Sequence, residues 1–402
     1  MSEQLKNSKH FCMMPWTHMH LWPAGTTYPC CMSDPEFPIG NTQEQSLQEI
    51  WNGEELRNIR MNMLQDKPSK ECRRCYELEE NGMSTLRTGS IGNYAHHWDK
   101  VEATSDDGSA GDVNMAYMDI RFSNLCNLKC RSCGPQFSSS WFEDHKAIYG
   151  KLNHPKILQV RDEMKSFMDE LDPLLESVER VYWAGGEPLI TKEHYNILDK
   201  WIAMDKRNVS MDYTTNFTQM YYKKKTAFDY WNKFENVRVA ASLDANHARG
   251  EYLRKNMVWS EVVQNRRTMI EQCPHVYFEL TPTVSVYNVL NLPDFHKEWI
   301  EEGLLEPSNI RINILLDPTY MRLSILPPWI KSKVAERYHE HIAYLKQFDN
   351  IAGVINDYES ILNFMEKERT DEIKMFKFKT QRIDTLRQEN LLDVFPELEG
   401  IW

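Results

Sequence analysis

The stretch 117-YMDIRFSNLCNLKCRSC-133 decides the reading of this chain. Its first six residues, 117–122, form a short aromatic and β-branched run of the kind that makes a strand. The loop that follows carries Cys126, Cys130 and Cys133 in the spacing C-x3-C-x2-C. Three thiolates can hold three irons of a cubane and leave the fourth iron open to chelate a substrate or cofactor. A structural zinc ion would want four protein ligands, usually two close pairs, and the triplet supplies three.

A second run, 178-VERVYWAG-185, continues as Gly186, Glu187 and Pro188. The glycine pair lets backbone approach a ligand, Glu187 supplies a carboxylate, and Pro188 fixes the turn. Further strands are expected at 210–216, 237–244, 276–284 and 310–317, alternating with helices that include 161–176 and 260–272. This order reads as strand–helix units around a parallel sheet, whose active sites form at the C-terminal ends of strands. The connection 136–177 is expected to hold two helices broken at Gly150. The tail, about 329–391, reads as helices; Asp384 and Arg387 there either serve a protein partner or, more simply, dock against the barrel.

Taken together, C126-NLK-C130-RS-C133 and G185-G186-E187-P188 resemble the radical S-adenosylmethionine superfamily over residues 113–325. The resemblance implies an α/β fold, a partial (β/α)6 TIM-like barrel. It also implies a [4Fe–4S] cluster whose open iron binds S-adenosylmethionine, and reductive cleavage that yields a radical able to take a hydrogen from a substrate. Thr215 and Asn216 match a third-strand ending of the family, with Phe217 in place of the expected glycine. Ser242 and Asp244 match the fourth-strand ending, as contacts to the cofactor. Ser132 stands where an aromatic residue is common. Gly185, Gly186, Glu187 and Pro188 complete the implied cofactor site.

Ahead of the barrel lie Cys12, Cys30, Cys31, Cys72 and Cys75. Cys12, the Gly25-x4-Cys30 element and the Cys72-x2-Cys75 pair resemble the auxiliary-cluster domains called twitch or SPASM. That resemblance implies a second [4Fe–4S] cluster held by Cys12, Cys30, Cys72 and Cys75, with Cys31 as a spare or an alternative ligand; zinc held by the same four residues is the competing reading. His18 and His20 read as surface or core residues. The expected organisation is an irregular cysteine-rich N-terminal domain over 1–88, a linker over 89–112, the barrel over 113–328 and a helical C-terminal extension over 329–402.

The net charge of −12 works against nucleic acid as a partner. No apolar run reaches the length of a membrane span, and the start lacks the pattern of an export signal, so a cytoplasmic location is expected. Nine cysteines in such a compartment point to metal or redox chemistry. The resemblance implies a flavodoxin or ferredoxin electron donor and an oxidoreductase. Peptide modification (oxidation, crosslinking or epimerisation) is the first reading of the reaction. Oxidation or rearrangement of a small polar molecule such as a sugar or nucleotide derivative is the second. A non-catalytic zinc-binding structural protein is the third. Tyr213, His247, Arg249, Arg254, Arg311, Asp317 and Tyr320 are candidate pocket residues.

Overall fold

A computed structural model describes residue 5, residues 7–366 and residues 372–402. The parts of the 1–88 and 329–402 spans at residues 1–4, 6 and 367–371 lie outside the described residues. The chain divides into two compact units that interleave along the sequence. One comprises 1–124, 157–186 and 191–212; the other comprises 125–156, 187–190 and 213–402.

The sheet strands are β1 (His18–Leu21), β2 (Thr26–Tyr28), β3 (Gly40–Asn41), β4 (Tyr117–Ile120), β5 (Arg180–Trp183), β6 (Ser210–Thr215), β7 (Asn236–Ala241) and β8 (Tyr277–Leu280). Their order is β8-β7-β6-β5-β4-β1-β2-β3. From β4 to β8 neighbours in space are neighbours in sequence, as repeated strand–helix units require. The sixth expected strand is short: Asn313–Ile314 pairs in parallel with Thr283–Val284, and Ile310 bridges Leu280 in parallel. The fold is α/β, with the parallel strands expected of the partial barrel and a helical C-terminus.

Within the first unit, β1 lies parallel to β4, with His18 opposite Tyr117 and Leu21 opposite Ile120. All four residues of β1 are buried. Its two histidines are core residues with partners: His18 Nδ1 is 2.8 Å from the Tyr117 carbonyl, and His20 Nδ1 is 2.9 Å from Asp119 Oδ2. Burial alone would raise the Asp119 carboxyl, but Arg121 and His20 beside it prevail and hold it down at about 2.

The helices follow their apolar spacing. In α1 (Glu54–Leu64) Leu56, Ile59 and Met63 are buried. The linker expected at 89–112 is corrected in its first half. Helix α2 (Leu86–Asn93) and a short helix at Trp98–Glu102 occupy it, because Ser90, Tyr94 and Val101 are buried anchors; only the polar run after residue 102 lacks a helix. Helix α3 (Trp141–Tyr149) ends at Gly150, whose φ of 92° a side chain would strain. The helix expected at 161–176 stops at Leu171 and continues as a 3₁₀ turn, since Pro173 cannot extend the hydrogen-bond ladder. Helices α4 (Lys192–Ala203), α5 (Trp259–Gln272) and α6 (Leu292–Glu301) accompany the strands. Helices α7 (Pro328–Leu345), α8 (Ala352–Met365) and α9 (Ile373–Arg387) make up the C-terminal part. Among the described residues no helix is long and apolar enough to cross a membrane.

Where α6 meets α7 and α8, His296 Nδ1 lies 3.0 Å from His341 Nε2 and 3.3 Å from the Tyr358 hydroxyl, all buried. Burial, and for His296 the neighbouring imidazole, push His296 down to about 3; burial and Lys297 push His341 down to about 4. The unfolded chain therefore takes up these protons first. Their stabilising effect is complete above the ordinary value of 6.5 and is lost as pH falls towards 4 and 3. Each imidazole should cost roughly 2 kcal/mol by pH ~5. Urea unfolding of His341→Gln should show a shallower acid loss than the parent chain.

Candidate metal centres

The triplet loop is shaped by its own backbone before any metal is considered. Cys126 N donates to Ser139 Oγ (3.2 Å), and Ser140 Oγ donates to the Cys126 carbonyl (2.7 Å). Lys129–Cys130 pairs antiparallel with Arg254–Lys255, and Trp141 Nε1 donates to the Cys130 carbonyl (2.7 Å). Burial, then their neighbouring thiols, pushes Cys126 and Cys133 up to about 12; burial also raises Cys130, against the pull of Arg254. Buried thiols that repel one another's charge suit a cationic iron cluster, which takes the place of their protons. Among the described residues no three of these sulfurs lie within 4.8 Å of one another. A single zinc ion, with sulfur bonds of about 2.3 Å, would draw them closer than that.

Glu187 gathers the neighbouring strand end. Its Oε1 accepts from Thr215 Oγ1 (2.7 Å) and from Leu189 N (3.1 Å), and its Oε2 accepts from Asn216 N (2.7 Å). Burial is the largest influence and raises its carboxyl to about 7 despite these donors. Asn216 in turn donates through Nδ2 to Asn127 Oδ1 (2.8 Å) and to Cys126 Sγ (3.9 Å). One carboxylate thus ties Thr215 and Asn216 to the first cysteine of the triplet. Pro188 is buried in the following 3₁₀ turn. In the other unit, Gly185 adopts φ 132° over Ser123 and Arg121, and Gly186 N donates to the Ser123 carbonyl (3.2 Å).

Phe217 has φ 57°, the left-handed conformation that glycine adopts freely. A buried ring against Phe278, 5.3 Å between centroids, holds it there. Ser242 N donates to the Thr215 carbonyl (2.8 Å). Asp244 does not stand free for a ligand. Its Oδ1 accepts from Arg254 Nη2 (3.0 Å) and Thr283 N (2.9 Å), and its Oδ2 lies 2.9 Å from Arg254 Nε. Arg254 also donates through Nη1 to Cys130 Sγ (3.5 Å). Arg254, a candidate pocket residue, thus lies against the triplet. Tyr213 packs on Trp231 in the core, His247 faces Glu298, and Arg249 faces Glu397.

The C-terminal segment completes this centre, which no local pattern announces. Arg131, inside the triplet, stacks over Tyr252 at 3.5 Å. Its Nη2 bonds Asp384 Oδ1 (2.5 Å) and Glu389 Oε2 (2.6 Å). Arg387 lies over the Trp141 ring and pairs with Asp144, which also takes Lys129. Cys133 packs against Trp141, Ile148 and Ile383. Asp384 and Arg387 therefore turn inward to the cluster loop and not outward to a partner.

In the other unit, Cys12, Cys30, Cys72 and Cys75 form a second group. Cys12 Sγ lies 3.3 Å from Ser90 Oγ, and burial raises its thiol to about 11. Burial likewise raises Cys30 well above its ordinary range, with Cys31, Cys12 and Cys72 adding to the effect. Cys72 and Cys75 are raised by burial too, and Cys72 feels both Cys12 and Cys75. Arg87 braces the group: it donates to the Phe11 carbonyl (2.8 Å) and pairs with Glu79, one turn beyond Cys75. Burial raises the exposed Cys31 thiol too, to about 11, with Asp119 adding to the effect and Arg121 opposing it.

Residues 12–76 match the SPASM family model, an iron–sulfur cluster-binding domain. The matched stretch precedes β4 and includes β1, which lies parallel to it. No curated protein matches the chain in sequence. Among solved structures it is similar to "Native anSMEcpe with bound AdoMet and Kp18Cys peptide", with 18% identity, a TM-score of 0.37, and coverage of 56% of this chain and 58% of that one. The chain thus spans less than two thirds of that relative's length. "Crystal structure of Streptococcus suis SuiB bound to S-adenosylmethionine" aligns at 16% identity and TM-score 0.36, covering 76% of this chain and 53% of that one. "Structure of TYW1 with a lysine-pyruvate adduct bound" aligns at 12% and 0.30, covering 56% and 70%.

Replacing Arg131 by Met would leave Asp384 and Glu389 without the buried guanidinium they share. Denaturant unfolding of Arg131→Met should show a loss of about 3–5 kcal/mol, the usual result of removing one partner from a buried charge group. Arg267→Met, at an exposed ion pair, should change stability by less than about 1 kcal/mol.

Proposed function

We propose that this chain is a radical S-adenosylmethionine enzyme that modifies a peptide, with a barrel cluster held by Cys126, Cys130 and Cys133 and an auxiliary cluster held by Cys12, Cys30, Cys72 and Cys75. The observation that carries the reading is the thiolate triplet in the loop after β4, joined through Asn216 to the Glu187 carboxylate. When bound, the barrel cluster and S-adenosylmethionine supply a one-electron cleavage and a carbon radical able to take a hydrogen from the substrate.

This chain's residues hold and orient. Glu187 fixes Thr215 and Asn216 at the mouth of β6. Asp244 holds Arg254 against Cys130, where a positive charge near a ligand sulfur favours the reduced state of a cluster. Gly185 and Gly186 leave room for backbone to approach the cofactor, and Ser242 borders it. The peptide assignment follows the SPASM match, whose resemblance in sequence is to domains of peptide-modifying enzymes. Cys12, Cys30, Cys72 and Cys75 would leave an auxiliary cluster without an open iron, so it would supply one-electron transfer and not substrate capture, which favours net oxidation. A flavodoxin or ferredoxin would deliver the priming electron.

Anaerobic reconstitution should give about eight irons per chain, two cubanes. Reduction in the presence of S-adenosylmethionine should release 5′-deoxyadenosine. The triple variant Cys126→Ala, Cys130→Ala and Cys133→Ala should keep about four irons and release none of it. Peptide libraries should stimulate the release and sugar or nucleotide panels should not; the reverse would replace the peptide assignment. A wild-type chain that binds zinc and no iron would overturn the whole reading.

A further inference from the structure

Away from both cysteine groups, His96, His97 and Glu179 bring three ligand atoms within 4.8 Å of one another. We propose that they form a binding site for one divalent transition-metal ion of the zinc class. His96 Nε2 lies 3.0 and 2.8 Å from the two Glu179 oxygens, and His97 Nε2 lies 2.8 Å from Oε1. An ion with nitrogen and oxygen bonds of about 2.0–2.2 Å spaces tetrahedral ligands at roughly 3.3 Å. The two imidazole–carboxylate distances need to lengthen by only a few tenths of an ångström to receive it. Two imidazoles and one carboxylate select zinc and its first-row neighbours over magnesium or calcium, which prefer oxygen.

The backbone that carries the ligands is anchored on both sides. Glu179 N donates to the Ala116 carbonyl (2.8 Å), and its own carbonyl accepts from Ser210 N (2.9 Å), so its backbone is fixed at the entry to β5. The histidines occupy the turn Ala95–His97 between two aromatic anchors. Tyr94 stacks on Tyr117 at 6.4 Å, and Trp98 packs on Phe11 at 5.4 Å. The Asn114 amide faces His97 Nδ1 at 3.4 Å and donates to the Trp16 carbonyl, which leaves Nε2 for the site.

Simple hydrogen bonding of two imidazoles to one carboxylate is the plainer account. It leaves two rings with centroids 4.4 Å apart sharing a single negative charge, and protonating both would set two cations against each other. Arg180, next to Glu179 in the chain, is paired with Asp212 at 2.6 Å. A divalent ion satisfies all three groups at once. It would fasten the turn after α2 to the start of β5. Three protein ligands leave an open position for water.

The test uses the untagged full chain, reconstituted with iron and sulfide so that the cysteines are occupied, and equilibrated with zinc alone. Wild type should hold about one zinc ion per chain beyond that held by His96→Gln/His97→Gln, at equal iron content. Its affinity should be on the order of 100-fold higher, and zinc should raise the melting temperature of wild type only. His96→Gln alone, at an exposed ring, guards against a folding defect in the double variant. Cobalt in place of zinc should show ligand-field bands without thiolate charge transfer. Equal zinc in wild type and variants, or cobalt bound solely through thiolate, would overturn the site. Neither readout depends on the radical chemistry, so the two readings fail separately.

Discussion

The Glu187 carboxylate is the constraint on which the barrel centre rests. It is buried, accepts three hydrogen bonds, and spends all of them on the protein: Leu189 within its own turn, Thr215 and Asn216 at the neighbouring strand end. A carboxylate without these donors would be costly in such a place. With them it becomes the joint through which Asn216 reaches Asn127 and Cys126. The first thiolate is therefore held from two sides, by its own loop through Ser139 and Ser140 and by the end of β6 through Asn216.

A second tier of charge surrounds that joint. Asp244 and Arg254 bear on Cys130, while Arg131, Asp384 and Glu389 lie beneath the loop. Arginine suits both places, because its planar fork binds carboxylates at fixed angles and stacks on aromatic faces. The loop is short and carries three sulfurs, so little of it remains to pack. Charge pairs drawn from distant segments do what side-chain packing does elsewhere.

What could be read in the chain beforehand, and what could not, follows from the range of each interaction. The parallel strands and the glycine turn were legible because their signals are local: β-branched runs, punctuation, and cysteines at fixed spacing. The left-handed residue after Asn216 was visible as an oddity, a phenylalanine where glycine costs least, but the burial that holds it was not. The contact between Arg131 and Asp384 spans 253 positions and leaves no periodic trace. The run HMHL at 18–21 alternates histidine with apolar residues, which suggests one wet face; burial of all four depends on Tyr117 and Asp119 as distant partners. The turn bearing His96 and His97 falls within the expected linker because that expectation rests on the polar run 102–112, which says nothing of the anchors before it.

The parallel pairing of His18–Leu21 with Tyr117–Ile120 has a consequence for biosynthesis. Unlike a hairpin, this ladder cannot close on itself as it emerges from the ribosome; the edge of β1 must wait until β4 has been made. During that interval the exposed backbone is open to mispairing, and the cysteines flanking it are open to adventitious metals. Cys12 and Cys30 stand on either side of β1 in the sequence, so both are made long before the strand that covers its edge.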